Sequence, residues 1–201
     1  MKLRIERRAL RSALRWSQRL LAAAAALALG YCAVVLVDGW AYQKTERRQL
    51  DQLLESRPVR AASSPVTPMV QAGGLIGRLD IARLNISVIV VEGVGGRVLR
   101  RAAGHIPGTA LPGHIGNVGI SAHRDTFFRP LRNIRQNDII TVTTPLGEYR
   151  YRVLSTTIVG PDDVTVLHAT GGENLTLVTC YPFYFIGPAP SRFIVRAERV
   201  T

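Results

Sequence analysis

An uncharged run of eighteen residues, 20–37, lies near the start of the chain and constrains its fold more than any other feature. A helix of that length just crosses the hydrocarbon core of a bilayer. Seven lysines and arginines precede the run against one acidic residue, Glu6, while Trp40 and Tyr42 follow it where interfacial aromatic residues occur. The positive-inside rule predicts a basic cytoplasmic tail at residues 1–19, a single-pass anchor in the plasma (inner) membrane, and an extracytoplasmic remainder.

Two other interpretations of the apolar run compete with the anchor. A cleaved signal peptide needs a small-x-small site after the run, and "VDGWAYQ" supplies a poor one. A lipoprotein signal would use Cys32, but Tyr31 directly before it is bulky and the apolar run continues beyond it. The anchor is therefore favoured, and Cys32 is interpreted as a small apolar residue within the span.

The segment 38–72 predicts a juxtamembrane helix followed by a linker. Leu50, Leu53 and Leu54 fall on one helical face, which indicates that the helix continues for a few turns beyond the anchor. The sequence "PVRAASSPVTPMVQAGG" then has three prolines and many small residues, as linkers do. The folded domain is predicted at residues 73–201.

This domain consists mainly of short apolar or alternating runs separated by turn residues. Alternation is clearest where Tyr149, Tyr151 and Val153 alternate with arginines, and "TPLGE" predicts a hairpin just before that run. A brief helix is expected in "GRVLRRAAGHI". Seven or eight strands with little helix predict a single closed β-barrel. The strand candidates are "LIGRLDI", "ISVIVV", "NVGISAH", "DIITVTT", "EYRYRVLSTTIV", "NLTLVTC" and "RFIVRAERV".

The net charge of +12 raises the possibility of nucleic-acid binding. Such proteins concentrate basic residues on a helix or an aromatic-rich patch. Here the arginines are scattered through the domain, so the charge is interpreted as a solvated surface and nucleic acid is excluded as a partner.

Cys180 is the first residue with candidate chemistry. Structural cysteines outside the cytoplasm usually form disulfides, but the only other cysteine in the sequence, Cys32, lies in the predicted span. A leftover thiol of this kind is either a nucleophile or a small buried residue at the end of a strand. Composition alone leaves both interpretations open.

A nucleophilic thiol needs a base or cation nearby. Of the four histidines, His123 stands at the end of the strand "NVGISAH", much as Cys180 ends its own strand. His105, His114 and His168 lie in or beside loops, and a structural or solvated role is preferred for them. Two strand ends at one rim of a barrel would bring His123 and Cys180 together.

Acyl chemistry also needs a group that stabilises an oxyanion. Arg192 opens the last strand, and its planar donors suit an oxyanion or a substrate carbonyl, whereas Arg196 and Arg199 are expected to be surface charges. Between Cys180 and Arg192 lies "YPFYFIGPAPS", whose aromatic residues either line a peptide groove or cap the barrel core. These two roles are compatible.

Three of these segments resemble the sortase family. "TLVTC" fits the sortase signature Thr-Leu-any-Thr-Cys, "SAHRDTFF" resembles the histidine segment, and "SRFIVRAERV" resembles the arginine strand. "AGHIPGTALPGHIGNVGI" is similar to the loop and strand that lead to the sortase histidine. The resemblance covers roughly residues 73–200, with the segments in the family's order behind an N-terminal anchor.

The resemblance implies a membrane-anchored cysteine transpeptidase on an eight-stranded β-barrel with one or two short helices. Such an enzyme cleaves a Leu-Pro-x-Thr-Gly (LPXTG) sorting signal between Thr and Gly, holds the acyl fragment as a thioester, and transfers it to an amine. Carried over by motif, Cys180 is the nucleophile, His123 is the general acid and then base, and Arg192 positions the substrate or stabilises the oxyanion. Their neighbours in the motifs are expected to bind substrate: Ala122, Thr179, Tyr181 and Ser191.

The implied partners are a surface or pilin protein with a sorting signal and an amine from a cell-wall precursor or a pilin lysine. No cofactor or metal is expected, and Asp162 and Asp163 are assigned to a turn. Segment 56–74 has no acidic or aromatic residue, so a pilin-type lid is not expected, and the chain looks most like class D sortases, then class E. The alternatives are an inactive anchored peptide-binding barrel and another cysteine peptidoglycan enzyme, such as an L,D-transpeptidase.

Overall fold

The computed structural model describes residues 2–56, 71–169, 171–184 and 187–200, with side chains from residue 14 onward. It divides the chain into two compact units, Met1–Ala41 and Tyr42–Thr201. Most of the predicted linker, residues 57–70, lies outside the described residues.

The first unit consists of the greater part of one long helix, α1 (Lys2–Glu55). Its apolar side chains between residues 20 and 37 are exposed, as expected of a helix that meets lipid. Within the described residues, the part of α1 from Leu14 to Glu55 is the one helix long and apolar enough to cross a membrane, judged by length and composition.

The second unit contains a closed barrel of eight strands, so the predicted fold is confirmed. The order around the barrel is β1-β2-β3-β4-β7-β8-β6-β5, and β5 pairs with β1 to close it. The strands are β1 (Leu75–Ile81), β2 (Ile86–Glu92), β3 (Ala103–His105), β4 (Gly116–Ser121), β5 (Ile139–Thr144), β6 (Gly147–Val159), β7 (Glu173–Tyr181) and β8 (Ser191–Val200).

The alternation in the sequence decides which side chains enter the barrel. In β6, Tyr151 and Val153 are fully buried. Arg150, which precedes Tyr151, and Arg152, which lies between the two buried residues, are exposed. A period of two puts successive side chains on opposite faces of a strand, so the tyrosines and valine fill the core while the arginines face solvent. The predicted hairpin joins β5 to β6, with the Thr144 hydroxyl accepting a hydrogen bond from the Gly147 amide.

Two features of the barrel depart from a simple chain of hairpins. The segment "GRVLRRAAGHI" contains the expected short helix, α2 (Gly96–Leu99), and also the three-residue strand β3, which the sequence pattern did not indicate. The pairings β2–β3 and β4–β7 are parallel. The β4–β7 pairing places the two segments that carry His123 and Cys180 side by side.

The end of α1 forms part of the second unit and packs on the barrel. Leu50 is completely buried. The Gln43 amide accepts a hydrogen bond from the Ile89 amide of β2 and donates another to the carbonyl of Arg101, just before β3. One side chain thus satisfies two backbone groups at the point where the β2–β3 pairing begins.

Gly77 allows the barrel to close. It lies at an irregularity of β1, next to the short β1–β5 pairing. A Cβ atom at this position would overlap the backbone carbonyl of Thr143 on β5. Glycine is required here by close approach of two backbones.

We expect Gly77→Ala to lower the free energy of unfolding by about 1–3 kcal/mol, because the overlap is with backbone that cannot rotate away. Thermal unfolding of the detergent-solubilised chain measures the change. Gly160→Ala is the matched control, since a Cβ there meets nothing within 4 Å. Equal melting temperatures for the two variants would contradict the role of Gly77 in closure.

An ion pair between the exposed Arg83 and the buried Asp138 fixes the start of β5. The guanidinium of Arg83, in the 3-10 turn Ala82–Leu84, donates two hydrogen bonds to the carboxylate of Asp138, which also accepts one from the Arg135 amide. The hydrogen bonds from Arg83 are the main reason that the pKa of Asp138 is lower than its ordinary value of 3.8. The pair links the turn after β1 to the loop before β5.

The lowered pKa of Asp138 predicts an acid-sensitive contribution to stability. A group with a lower pKa in the folded state stabilises the fold fully above its unfolded pKa, and that contribution is lost as the pH falls through the folded value. We therefore expect melting temperature to fall more steeply below about pH 5 in the wild type than in Asp138→Asn. Parallel pH profiles for the two proteins would show that the pair does not contribute.

Candidate active site

His123 lies just beyond the end of β4, and Cys180 lies near the end of β7, the strand that pairs with β4. In the parallel β4–β7 pairing, Ser121 is opposite Val178, and the Ala122 amide continues the ladder by donating to the Val178 carbonyl at 3.3 Å. Extended by two more residues, the same register would bring His123 beside Cys180. The Thr179 hydroxyl donates to the Ala122 carbonyl at 2.7 Å and ties the two strand ends together.

Arg192 lies on the other side of Cys180. The two residues are directly opposite each other in the antiparallel β7–β8 pairing. Side chains of directly opposed residues project from the same face, with their Cβ atoms about 4.5–5.5 Å apart. The strands β4, β7 and β8 are consecutive in the barrel, so the order across it is His123 after the end of β4, then Cys180, then Arg192.

Cys180 and Arg192 project from the outer face of the barrel. Val118, Ile120 and Ala122 belong to the core, and His123, which follows Ala122 after the end of β4, is partly exposed. Leu175 and Leu177 belong to the same core, and the alternation along β7 directs Cys180 outward. Each of the three predicted catalytic residues is partly exposed, as a group that meets a substrate must be.

The turn after His123 fixes the end of β4. The carbonyl of His123 accepts hydrogen bonds from the amides of Thr126 and Phe128, and the Phe128 ring is completely buried. Asp125 is 70% exposed and its carboxylate lies 3.5 Å from Nε of Arg124. Asp125 is therefore a surface residue.

The guanidinium of Arg192 is engaged with its own loop. Its Nη1 atom donates to the carbonyls of Ala189 at 3.3 Å and Ser191 at 3.1 Å. Both acceptors lie in or next to the segment 182–190, which joins β7 to β8 and which we call the β7–β8 loop.

The aromatic residues around the β7–β8 loop divide into two groups. Phe183 and Phe193 pack against the barrel core, with ring centroids 5.2 Å apart, and Phe193 stacks on Tyr181. These rings cap the core. Tyr184 is 75% exposed, with the guanidinium of Arg132 over its ring. Phe185, which the sequence also placed in this group, lies outside the described residues.

The four predicted substrate-binding residues differ in exposure. Ala122 and Thr179 are buried, because their positions alternate with those of His123 and Cys180 and so face inward. Tyr181 and Ser191 are partly exposed. A substrate lying over Cys180 would therefore meet Ala122 and Thr179 through their backbone and not through their side chains.

The other histidines lie elsewhere. His105 is buried, with Nδ1 at 2.6 Å from the Glu92 carboxylate and Nε2 at 2.9 Å from the carbonyl of Ala110. The carbonyl of His168 accepts a hydrogen bond from Asn117. These contacts hold loops to the barrel, in agreement with the structural roles that the sequence favoured.

Arg124 is a residue of this region that the sequence analysis did not single out. It directly follows His123, yet only 6% of it is exposed, and its guanidinium donates to the carbonyls of Pro182 and Gly187 at 3.0 Å each. The available signal was a charged residue flanked by a strand end and two phenylalanines. That signal is weak because arginine at a strand end is usually solvated.

Comparison with known proteins agrees with this fold and this arrangement. The sortase domain family matches residues 79–200. The chain is 32% identical over 192 residues to Sortase D of Bacillus subtilis (strain 168), covering 89% of this chain and 95% of that protein.

Solved sortase structures have the same fold. A Sortase D5 transpeptidase from Clostridium perfringens is 23% identical, with a TM-score of 0.70 over 80% of this chain and 99% of that one. The sortase A of Actinomyces oris is 29% identical, with a TM-score of 0.59 over 70% of this chain and 88% of that one.

The fold and the matched motifs define a cysteine transpeptidase. The chain belongs to the sortase family. The predicted resemblance to class D sortases agrees with the similarity to the Bacillus protein.

Proposed function

We propose that this protein is a membrane-anchored transpeptidase that cleaves an LPXTG-like sorting signal between Thr and Gly and transfers the acyl fragment to an amine. The observation that carries the proposal is that Cys180 lies opposite Arg192 in the β7–β8 pairing, while the segment of His123 follows β4, the other neighbour of β7. This arrangement offers a thiol, an imidazole and a guanidinium to one peptide bond. The sortase sequence match covers all three positions.

In the acylation step, Cys180 gives its thiol proton to His123 while Sγ attacks the carbonyl carbon of the substrate Thr and forms a tetrahedral oxyanion. The C–N bond to Gly then breaks, and His123 donates a proton to the leaving amine. The product is a thioester between the acyl fragment and Cys180. In the second step an amine attacks the thioester carbon and gives a proton to His123; the C–S bond then breaks, and His123 returns the proton to Sγ of Cys180.

The role proposed for Arg192 requires a change of hydrogen-bond partners. Its guanidinium now donates to carbonyls of the β7–β8 loop and its own strand. A substrate carbonyl or oxyanion over Cys180 would compete for the same donors, and a charged acceptor forms the stronger hydrogen bond. Binding of the sorting signal is thus expected to draw Arg192 away from Ala189.

The surfaces beside the three residues form the proposed peptide site. Backbone of Ala122 and Thr179 borders Cys180 on the β4–β7 side, while Tyr181 and Ser191 border it on the loop side. The exposed ring of Tyr184 offers apolar contact to an extended peptide. The proposed mechanism uses no metal or other cofactor.

We propose that α1 anchors the enzyme with residues 1–19 in the cytoplasm and the barrel outside. Support comes from the apolar exposed helix and from the basic residues that precede it. The partners would be a surface or pilin protein with a sorting signal and an amine acceptor from a cell-wall precursor or pilin. Proteolysis of sealed inverted and right-side-out vesicles tests this orientation.

Peptide assays test the proposed reaction. The detergent-solubilised chain is incubated with Leu-Pro-x-Thr-Gly and Leu-Ala-x-Thr-Gly peptides, and mass spectrometry detects any acyl adduct on Cys180. An adduct on Cys180 that triglycine or another amine discharges supports the proposal. The absence of an adduct with every peptide would contradict it and favour a peptide-binding barrel without activity.

A further inference from the structure

The buried guanidinium of Arg124 needs a physical explanation. Removing an arginine side chain from water is costly unless its donors are satisfied. Its neighbour Asp125 lies 3.5 Å away but is largely exposed, so solvent weakens that ion pair. The two hydrogen bonds to carbonyls are therefore a substantial part of what holds Arg124 in place.

The two carbonyls lie at widely separated positions of the β7–β8 loop. Pro182 is its first residue, and Gly187 is the sixth of nine. A guanidinium is a rigid fork of donors, so it fixes the spacing between the two acceptors as well as the position of each. Arg132 adds a second contact to the same loop, over the ring of Tyr184.

The β7–β8 loop is flanked by two of the proposed catalytic residues. Cys180 lies two residues before the loop and Arg192 lies two residues after it. Arg124 belongs to the third segment, next to His123. One side chain thereby connects the segment that carries His123 to the loop between Cys180 and Arg192.

We propose that Arg124 is a positioning residue that holds the β7–β8 loop in the conformation that binds the sorting signal. This inference rests on the proposed function. Arg192 holds Ala189 at the other end of the loop. If the substrate draws Arg192 away, Arg124 keeps the loop from opening at the moment when the peptide lies against it.

Replacing Arg124 is expected to affect substrate binding more than the chemical step, because several contacts of the site do not involve the β7–β8 loop. The segments that carry His123 and Cys180 are held together by the β4–β7 ladder and by the hydrogen bond from Thr179 to Ala122. Loss of Arg124 leaves those contacts intact and loosens the surface that meets the peptide. Substrate binding should therefore weaken more than the chemical step.

The test compares wild type, Arg124→Met, Arg124→Lys and the control Arg129→Met, which removes an exposed guanidinium from the same segment. All are full-length and detergent-solubilised, and melting curves verify folding. Hydrogen exchange of the peptide spanning 181–192 is measured without substrate, followed by KM and kcat with a cleaved peptide. The rate of Cys180 alkylation by iodoacetamide reports on the thiol itself.

For Arg124→Met we expect exchange in 181–192 to rise about tenfold and KM to rise about tenfold, with kcat within about threefold of wild type and alkylation unchanged. Arg129→Met should match wild type. Arg124→Lys should fall between them, because one ammonium does not reproduce the fork. If Arg124→Met does not fold, Arg124→Lys alone decides the comparison.

Unchanged exchange in the Arg124 variants would overturn the proposal, as would a loss of kcat at constant KM. Wild-type behaviour of Arg124→Lys in both measurements would also overturn it, because the fork geometry would then be dispensable. Hydrogen exchange is measured without turnover, so it reports whether Arg124 restrains the β7–β8 loop even if no peptide is cleaved. A wild type that forms no thioester would instead contradict the proposed function.

Discussion

Cys180→Ala is expected to abolish transpeptidation while leaving the fold intact. Loss of the nucleophile removes the thioester route, and comparable losses in other covalent enzymes exceed about 10⁴-fold. Cys180 projects outward at the end of β7 and forms no disulfide, so replacing its thiol by hydrogen removes little packing. Peptide cleavage and adduct formation measure the activity, and the melting temperature reports on the fold.

The sharper form of this test adds a cysteine control. Cys32→Ala removes the other thiol of the chain, which lies exposed on α1 far from the barrel strands in sequence. It should retain wild-type turnover and still form the adduct. Residual turnover in Cys180→Ala above about one per cent of wild type would mean that another group performs the chemistry, since the uncatalysed step is far slower.

Arg192→Lys is expected to lose about 10²–10³-fold in kcat, as removal of an oxyanion donor does elsewhere. Lysine keeps the charge but presents a point-like ammonium, so it does not supply two parallel donors in a plane. Steady-state kinetics with a cleaved peptide measures the effect. Folding should be preserved, because Arg192 is partly exposed and its hydrogen bonds are local.

Arg196→Lys is the matched control for that experiment. Arg196 lies on the same strand and the same face as Arg192 but is exposed and opposite Thr176, not Cys180. It should behave as wild type. Near-wild-type rates for Arg192→Lys would refute the proposed role of Arg192, and equal losses in both variants would show that overall charge matters more than the position of the guanidinium.

Much of the barrel was predictable because its strands carry strong local patterns. The strand "LIGRLDI" coincides with β1, and the alternating tyrosines of β6 are buried as expected. The three-residue β3 was not predictable, since it is too short to show a period and is stabilised by pairing with β2 and β4. Parallel pairings have no turn signal at all, so neither was foreseen.

The proposed site was predictable only in part, for a similar reason. Cys180, His123 and Arg192 stood out because a thiol, an imidazole and a guanidinium occupy strand ends in recognisable motifs. The inward direction of Ala122 and Thr179 follows from the register of the strands, which composition does not reveal. The burial of Arg124 depends on a loop more than fifty residues away, so no local pattern indicates it.

The parallel pairing of β4 with β7 has a consequence for the order of folding. The bond between Thr179 and Ala122 joins residues 57 positions apart, and closing so long a segment is slow compared with forming a hairpin. In early folding intermediates built from local hairpins, Cys180 would therefore not yet lie near His123. We therefore expect the thiol of Cys180 to gain its catalytic environment late in folding, after the long-range pairing of β4 with β7 has formed.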